Sequence, residues 1–286
     1  MYIPTVFWFN NHQSRLKITT VMSKSISRCL YGPLSFKAKK SKISLSMSPS
    51  STYKPFSHDA FVEDYAKRRV ELSILQRALL AAGSATISIT NPYRGDMIAC
   101  LGETTGETAL NHCLRQMMAS EEGQRILNDK PRINTATVDL DYLKSLPAAT
   151  VGKTYSDFLE NNKVSPDDRP AVQFVDDLEL AYVMQRYREV HDIFHAMLLM
   201  PTTMLGEVAV KWVEGLQLKL PMCVAGAIFG AARLKPKQRY LYLNYHLPWA
   251  IQTGKNAKFL LAVYFEERWE QPLLDFHKEM NIKRLV

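Results

Sequence analysis

The sequence predicts an all-α fold: a single compact domain of about ten helices from residue 59 to 286, preceded by a disordered leader over residues 1–58. Three observations carry this. Apolar residues recur at three- and four-residue spacing through most of the chain. No segment repeats the strict alternation of a half-buried strand, and the short β-rich stretch from Ala85 to Thr90 stands alone. Prolines and polar stops cut the body into pieces of helical length.

Taken in order, Phe61 to Ala82 carries Val62, Ala66, Val70, Leu72, Leu75 and Leu79 and is expected to stop at Gly83, a helix-ending position. Asn91-Pro92 with Gly95, Gly102 and Gly106 predicts a loop-rich connector. Thr108 to Leu127 reads as helix, halted by Asn128 to Pro131. Short helices follow around 139–146 and 153–162, closed by Pro147 and Pro166. Asp176 to Met200 is the longest expected helix, with Asp176 or Asp177 as N-cap and acids in its first turn. Pro201 ends it, and Thr202 or Thr203 caps the next, which runs to about Leu218 and holds Glu207 in its first or second turn. Pro221 to Leu234 is apolar with small residues. Pro236 and Pro248 punctuate further short helices, and Asn256 to Trp269 and Pro272 to Glu279 finish the chain.

Charge separates leader from body. Residues 1–58 hold nine Lys/Arg, twelve serines and no acid. That composition matches an organelle transit peptide and lacks the apolar core of a secretory signal. Met22 opens a second transit-like segment and is a candidate start. The chain has 36 basic and 28 acidic residues, so removing the nine leader cations leaves 27 against 28. A body this neutral has no global field for polyanions, which argues against nucleic acid as a partner. Cys29, Cys100, Cys113 and Cys223 form no CxxC pair, and a reducing compartment is the simple reading. The longest apolar run, Leu220 to Ala232, has thirteen residues, short of the roughly 20 that span a bilayer.

Chemistry concentrates in His191-Asp192-Ile193-Phe194-His195 and Glu207. On a helix His191 and His195 stack on one face, and Asp192 leans toward His195. Glu207 is turned back by Pro201 onto the same region, a helix hairpin of the kind that gathers metal ligands. Two imidazoles and two carboxylates can hold a divalent ion; packing or a solvent-facing HxxxH remains the alternative from spacing alone. The pattern is not HExxH, and it lacks the spread ligands of an HD phosphohydrolase. No Gly-rich phosphate loop is present, since Gly102 and Gly106 lack the strand–turn–helix setting.

The stretch from Glu179 to His195, continued by Met200 to Trp212, resembles the mitochondrial ubiquinone (coenzyme Q) biosynthesis protein 4 family. The family motif is HDxxH, eleven residues, then Glu, and eleven residues separate His195 from Glu207 here. The resemblance extends through Leu101–Gly106, Leu146-Pro147, Pro166–Arg169, Arg239, Pro248–Ala250 and Val263–Gln271, about 60–284 in all. It implies zinc at His191, Asp192, His195 and Glu207. It implies a peripheral protein on the matrix face of the mitochondrial inner membrane, within a multi-enzyme ubiquinone-biosynthesis assembly. The implied activity is C1-decarboxylation of a 4-hydroxy-3-methoxy-5-polyprenylbenzoate, with or without coupled hydroxylation.

Zinc has no redox chemistry, so coupled hydroxylation would need dioxygen activated elsewhere; the donor types also suit Fe or Mn. Arg188, one turn before His191, is the candidate cation for the substrate carboxylate, against pairing with Glu189 or Asp192. The small residues of Pro221–Ala232 offer either a prenyl groove or close helix packing. Tyr240 to Tyr245 with Lys235, Lys237 and Arg239 suits a membrane interface. The competing function is a non-catalytic, prenyl-lipid-binding scaffold with a structural metal. A homo-oligomer stays open.

Overall fold

A computed structural model of the chain describes residues 58–285. The leader and the Met22 start lie outside the described residues. Within them the chain is all-helical, with one isolated bridge between Thr150 and Pro272. The helices are α1 His58–Arg68, α2 Ile74–Thr90, α3 Gly95–Thr105, α4 Glu107–Met118, α5 Glu121–Asp129, α6 Leu140–Ser145, α7 Val151–Asn162, α8 Leu178–Met197, α9 Met204–Leu218, α10 Pro221–Ala232, α11 Pro236–Leu241, α12 Leu247–Asn256 and α13 Leu273–Glu279.

This is more helices than the expected ten, because polar caps cut pieces that periodicity joins. Ser73 caps α2 in a reciprocal box with Gln76, so the segment expected over Phe61–Ala82 breaks after α1. Helix α2 then runs through Gly83 and takes in Ala85–Thr90; the stretch with strand composition is helical, and the Thr86 and Thr90 hydroxyls bond back to Ala82 O and Thr86 O at 2.9 Å. Ser120 caps α5 and divides the long helix expected from Thr108. The expected connector with Gly95, Gly102 and Gly106 is instead largely α3. A Cβ at Gly102 would lie 2.4 Å from Met222 Sδ, so this glycine serves a close helix approach to α10.

The segment from Asn256 to Trp269 is not a helix but two 3-10 turns, Leu260–Ala262 and Phe265–Glu267. Its backbone is claimed from outside. Leu260 N donates to Gln217 at 3.1 Å, Tyr264 N to Glu122 at 2.8 Å, and Val263 O accepts from Arg186 at 3.1 Å. Pro248 cannot donate to Asn244 O, and the ladder slips into a π turn over Tyr242–His246, where Leu247 N reaches Tyr242 O.

Helix α8 is the axis. Asp177 caps it, and every residue from Leu180 to Met197 is buried. A helix buried all round is usually apolar, yet α8 carries Gln185, Arg186, Arg188, Glu189, His191, Asp192 and His195. Nearly every polar head has a fixed partner: Arg186 meets Glu266, Arg188 meets Glu103 and Glu189 meets Arg132. A buried charge is tolerated only when paired and hydrogen-bonded.

Candidate metal centre

The α8–α9 turn builds the site. Helix α8 ends at Leu198 and closes with Leu199 in the left-handed region, φ 55°. Met200 N bonds His195 O at 2.9 Å and Leu199 N bonds Ala196 O at 3.2 Å, the paired 6→1 and 5→2 bonds of a Schellman turn. The same turn presents Met200 O to His195 Nδ1 at 3.1 Å. Pro201 follows, Thr203 caps α9, and Gly206 lets the chain close: a Cβ there would meet Pro201 O at 2.0 Å. Glu207 is thereby fixed in the first turn of α9, where the helix dipole favours a carboxylate.

Ligand atoms of His191, His195 and Glu207 all lie within 4.8 Å of one another. Glu207 Oε2 is 3.4 Å from His195 Nε2 and 3.9 Å from His191 Nε2. The His195 side chain is 0% exposed, and Glu207, at 24%, is the member that reaches solvent. His195 Nε2 is buried and makes no hydrogen bond of ordinary geometry, although Glu207 Oε2 lies 3.4 Å away. Burial alone would lower the His195 pKa, but Glu207 and the Met200 carbonyl raise it above the ordinary value. Burial would raise Glu207, but the two imidazoles and Lys211 hold it at about 2. An orphaned buried nitrogen facing a second imidazole and an ionised carboxylate fits a divalent cation: the cation supplies the missing partner and the charge.

The other sequence candidates lie close by but turn elsewhere. The Asp192 carboxylate pairs with Arg169 and is not drawn into the three-residue group. Arg169 outweighs burial and lowers its pKa. A cavity of about 320 Å³, lined by Arg132, Asn134, Asp167, Arg169, Gln185 and Glu189, opens beside that pair. The Arg188 guanidinium is buried and committed to Glu103, Pro170 O and Ala99 O, so the structure does not bring it to the cluster. It also does not pair with Glu189 or Asp192. The small residues of α10 serve packing on α9: a Cβ at Gly230 would meet Val208 Cγ2 at 2.7 Å.

Sequence reading missed Glu214 and Lys211, and it met Arg169 only within the Pro166–Arg169 resemblance, with no role assigned. Glu214 accepts from His191 Nδ1 at 2.5 Å, and Lys211 Nζ lies 2.7 Å from Glu214. Both sit on the Glu207 face of α9 at helical spacing, i+4 and i+7, which is the signal that could have found them. Arg169, across a turn, carries no such signal.

The family described as "Coenzyme Q (ubiquinone) biosynthesis protein Coq4" matches residues 65–285. A silkworm (Bombyx mori) protein named "Ubiquinone biosynthesis protein COQ4 homolog, mitochondrial" is 58% identical over 224 residues, 78% of this chain and 86% of its own. A Drosophila melanogaster protein of the same name is 57% identical over 78% of this chain and 84% of its own. Among solved structures, a putative ubiquinone biosynthesis protein from Nostoc punctiforme aligns with a TM-score of 0.53 at 18% identity, covering 72% of this chain and 95% of that one. At that identity it supports the fold alone.

Proposed function

This chain belongs to the coenzyme Q (ubiquinone) biosynthesis protein Coq4 family, and from that premise we propose that it removes the C1 carboxyl group of a 4-hydroxy-3-methoxy-5-polyprenylbenzoate at a metal centre. His191, His195 and Glu207 would hold the ion, with Asp192 as the fourth candidate ligand. The observation that carries the reading is the commitment of Asp192 to Arg169: three protein ligands converge and the fourth is held away. Catalytic zinc sites keep such an open position and structural ones close it.

Zinc is the proposed ion, Fe or Mn being compatible with the same donors. When bound it supplies Lewis acidity toward a substrate oxygen. In the reaction the C1–carboxyl bond breaks, CO₂ leaves, the electron pair stays on C1 and a proton takes its place. The part of this chain is to bind and orient. Lys211, 19% exposed with Nζ 3.5 Å from His191 Nδ1, is a candidate cation for an aromatic carboxylate. Arg188 could take that role only by releasing Glu103, and Arg188→Ala, read for metal content and turnover, tests it; full activity removes Arg188 from the account.

We place the protein peripherally on the matrix face of the mitochondrial inner membrane, with other enzymes of the pathway as partners. No helix among the described residues is long and apolar enough to cross a membrane. Support for lipid contact comes from α2, whose only charge is Arg77 and whose Leu75 and Leu79 are 70% and 65% exposed. Tyr240, Leu243 and Tyr245 are also exposed, close in sequence to Lys235, Lys237 and Arg239.

The deciding experiment gives purified protein, metal-loaded or stripped, a short-chain prenylated 4-hydroxybenzoate. CO₂ release that needs the metal and His191 is the expected result. No release, with metal bound and prenyl ligand retained, would replace the enzyme by the scaffold reading.

A further inference from the structure

Glu214 lies two turns beyond Glu207 on α9, and its side chain is 1% exposed. It is not in the group that could hold the ion. Its two oxygens are nevertheless fully used. Oε1 faces His191 Nδ1 at 2.5 Å. Oε2 accepts from the Tyr187 hydroxyl at 2.9 Å and from Lys211 Nζ at 2.7 Å, with Cys223 Sγ at 3.6 Å.

An ionised carboxylate only accepts hydrogen bonds. Its contact with Nδ1 therefore requires the hydrogen of His191 on Nδ1 and leaves the lone pair on Nε2, the atom on the Glu207 side. Beyond His191, three donors from α8, α9 and α10 pin the carboxylate in one orientation, and Lys211 offsets its charge in the interior. The two imidazoles of the cluster are thus backed differently: His195 Nδ1 meets only a neutral carbonyl, that of Met200. A carboxylate behind a ligating imidazole fixes its tautomer and raises its basicity.

We propose that Glu214 is the positioning residue of the metal centre: it sets His191 in the Nδ1–H tautomer and aims Nε2 at the ion, and Tyr187 and Lys211 hold Glu214 in place. This rests on the reading of His191 as a ligand.

The test uses the full chain, stripped of metal. Imidazole ¹⁵N NMR on the wild type should show His191 as the Nδ1–H tautomer; an Nε2–H tautomer overturns the proposal without any variant. Calorimetric titration with Zn²⁺ should show E214Q binding about 10–100-fold more weakly than wild type, with mixed His191 tautomers and unchanged helical circular dichroism. Wild-type affinity in a folded E214Q overturns it. Should E214Q not fold, Y187F takes its place, and unchanged affinity together with an unchanged tautomer overturns the proposal there. Failure of the wild type itself to bind Zn²⁺ sinks the metal-site reading instead, and the tautomer measurement keeps the two apart.

Discussion

Removing the ion should cost the fold a measurable amount, and Glu207 should control how much. On the proposed reading the ion would bridge α8 and α9 at the buried His195 Nε2, which makes no hydrogen bond of ordinary geometry, and so would act as a ligand of the native state alone. At a free concentration 100-fold above its dissociation constant such a ligand stabilises by about 2.7 kcal/mol. For a body of this size each kcal/mol moves the melting temperature by about 2–4 °C, so zinc should raise Tm by about 5–11 °C over chelator-treated protein. In Glu207→Gln the turn, the Thr203 cap and the two histidines remain, but the anionic donor 3.4 Å from His195 and 3.9 Å from His191 becomes a neutral amide. The zinc-dependent shift should then collapse to within about 1–2 °C. Differential scanning calorimetry of both proteins, with and without zinc, measures it. An equal zinc shift in wild type and variant would refute the assignment of Glu207, and no shift in the wild type would refute the centre.

Four further outcomes follow from the structure. Arg169→Gln strands the buried Asp192 carboxylate, so metal-free protein should lose about 3 kcal/mol, and zinc should recover part of it as Asp192 turns to the ion; an equal loss with and without zinc goes against this. In metal-free wild type Arg169 holds Asp192 below the usual carboxylate range, so its stabilisation is complete at neutral pH and fades as pH falls through the acid range, and Arg169→Gln should flatten that limb of the urea midpoint. Cys100, Cys113 and Cys223 are buried and free, and burial pushes Cys113 to about 12; at pH 8 native protein should expose no more than one thiol to a colorimetric thiol reagent while denatured protein exposes all four, and rapid reaction of two native thiols contradicts the packing. Finally, Leu75→Asp with Leu79→Asp should lower partitioning onto anionic liposomes at least about tenfold, given about 1.5–3 kcal/mol per buried leucine; equal flotation removes α2 from the membrane face.

What could be read from residues alone follows the range of the physics. Local rules place α8 and α9 closely: Asp177 and Thr203 are the caps, Pro201 the break, and the i, i+4 histidines share a face. They fail where a local preference is overruled. The β-branched run from Ala85 to Thr90 looks strand-like, yet its threonines satisfy themselves against the preceding helical turn. Gly102 looks like a loop residue because the methionine it makes room for is more than a hundred positions away. The opposite error, at Asn256 to Trp269, has the same origin: apolar spacing suggests a helix, but side chains from α5, α8 and α9 take the backbone groups a helix needs.

The centre shows how far the local rules extend once two helices are known to form a hairpin. Contacts between α8 and α9 run in opposite directions from Pro201. His195 faces Glu207, His191 faces Glu207 and Glu214, and Tyr187 faces Lys211 and Glu214. Each turn back along α8 meets one turn forward along α9, so the 3.6-residue period that stacks the histidines also stacks Glu207, Lys211 and Glu214 opposite them. The hairpin therefore carries the three candidate ligands and the groups that contact them in one register. Asp192 falls outside that register because it is one residue round the helix from His191, about 100° away, which turns it toward Arg169. That rotation separates a carboxylate adjacent in sequence from the three candidate groups adjacent in space.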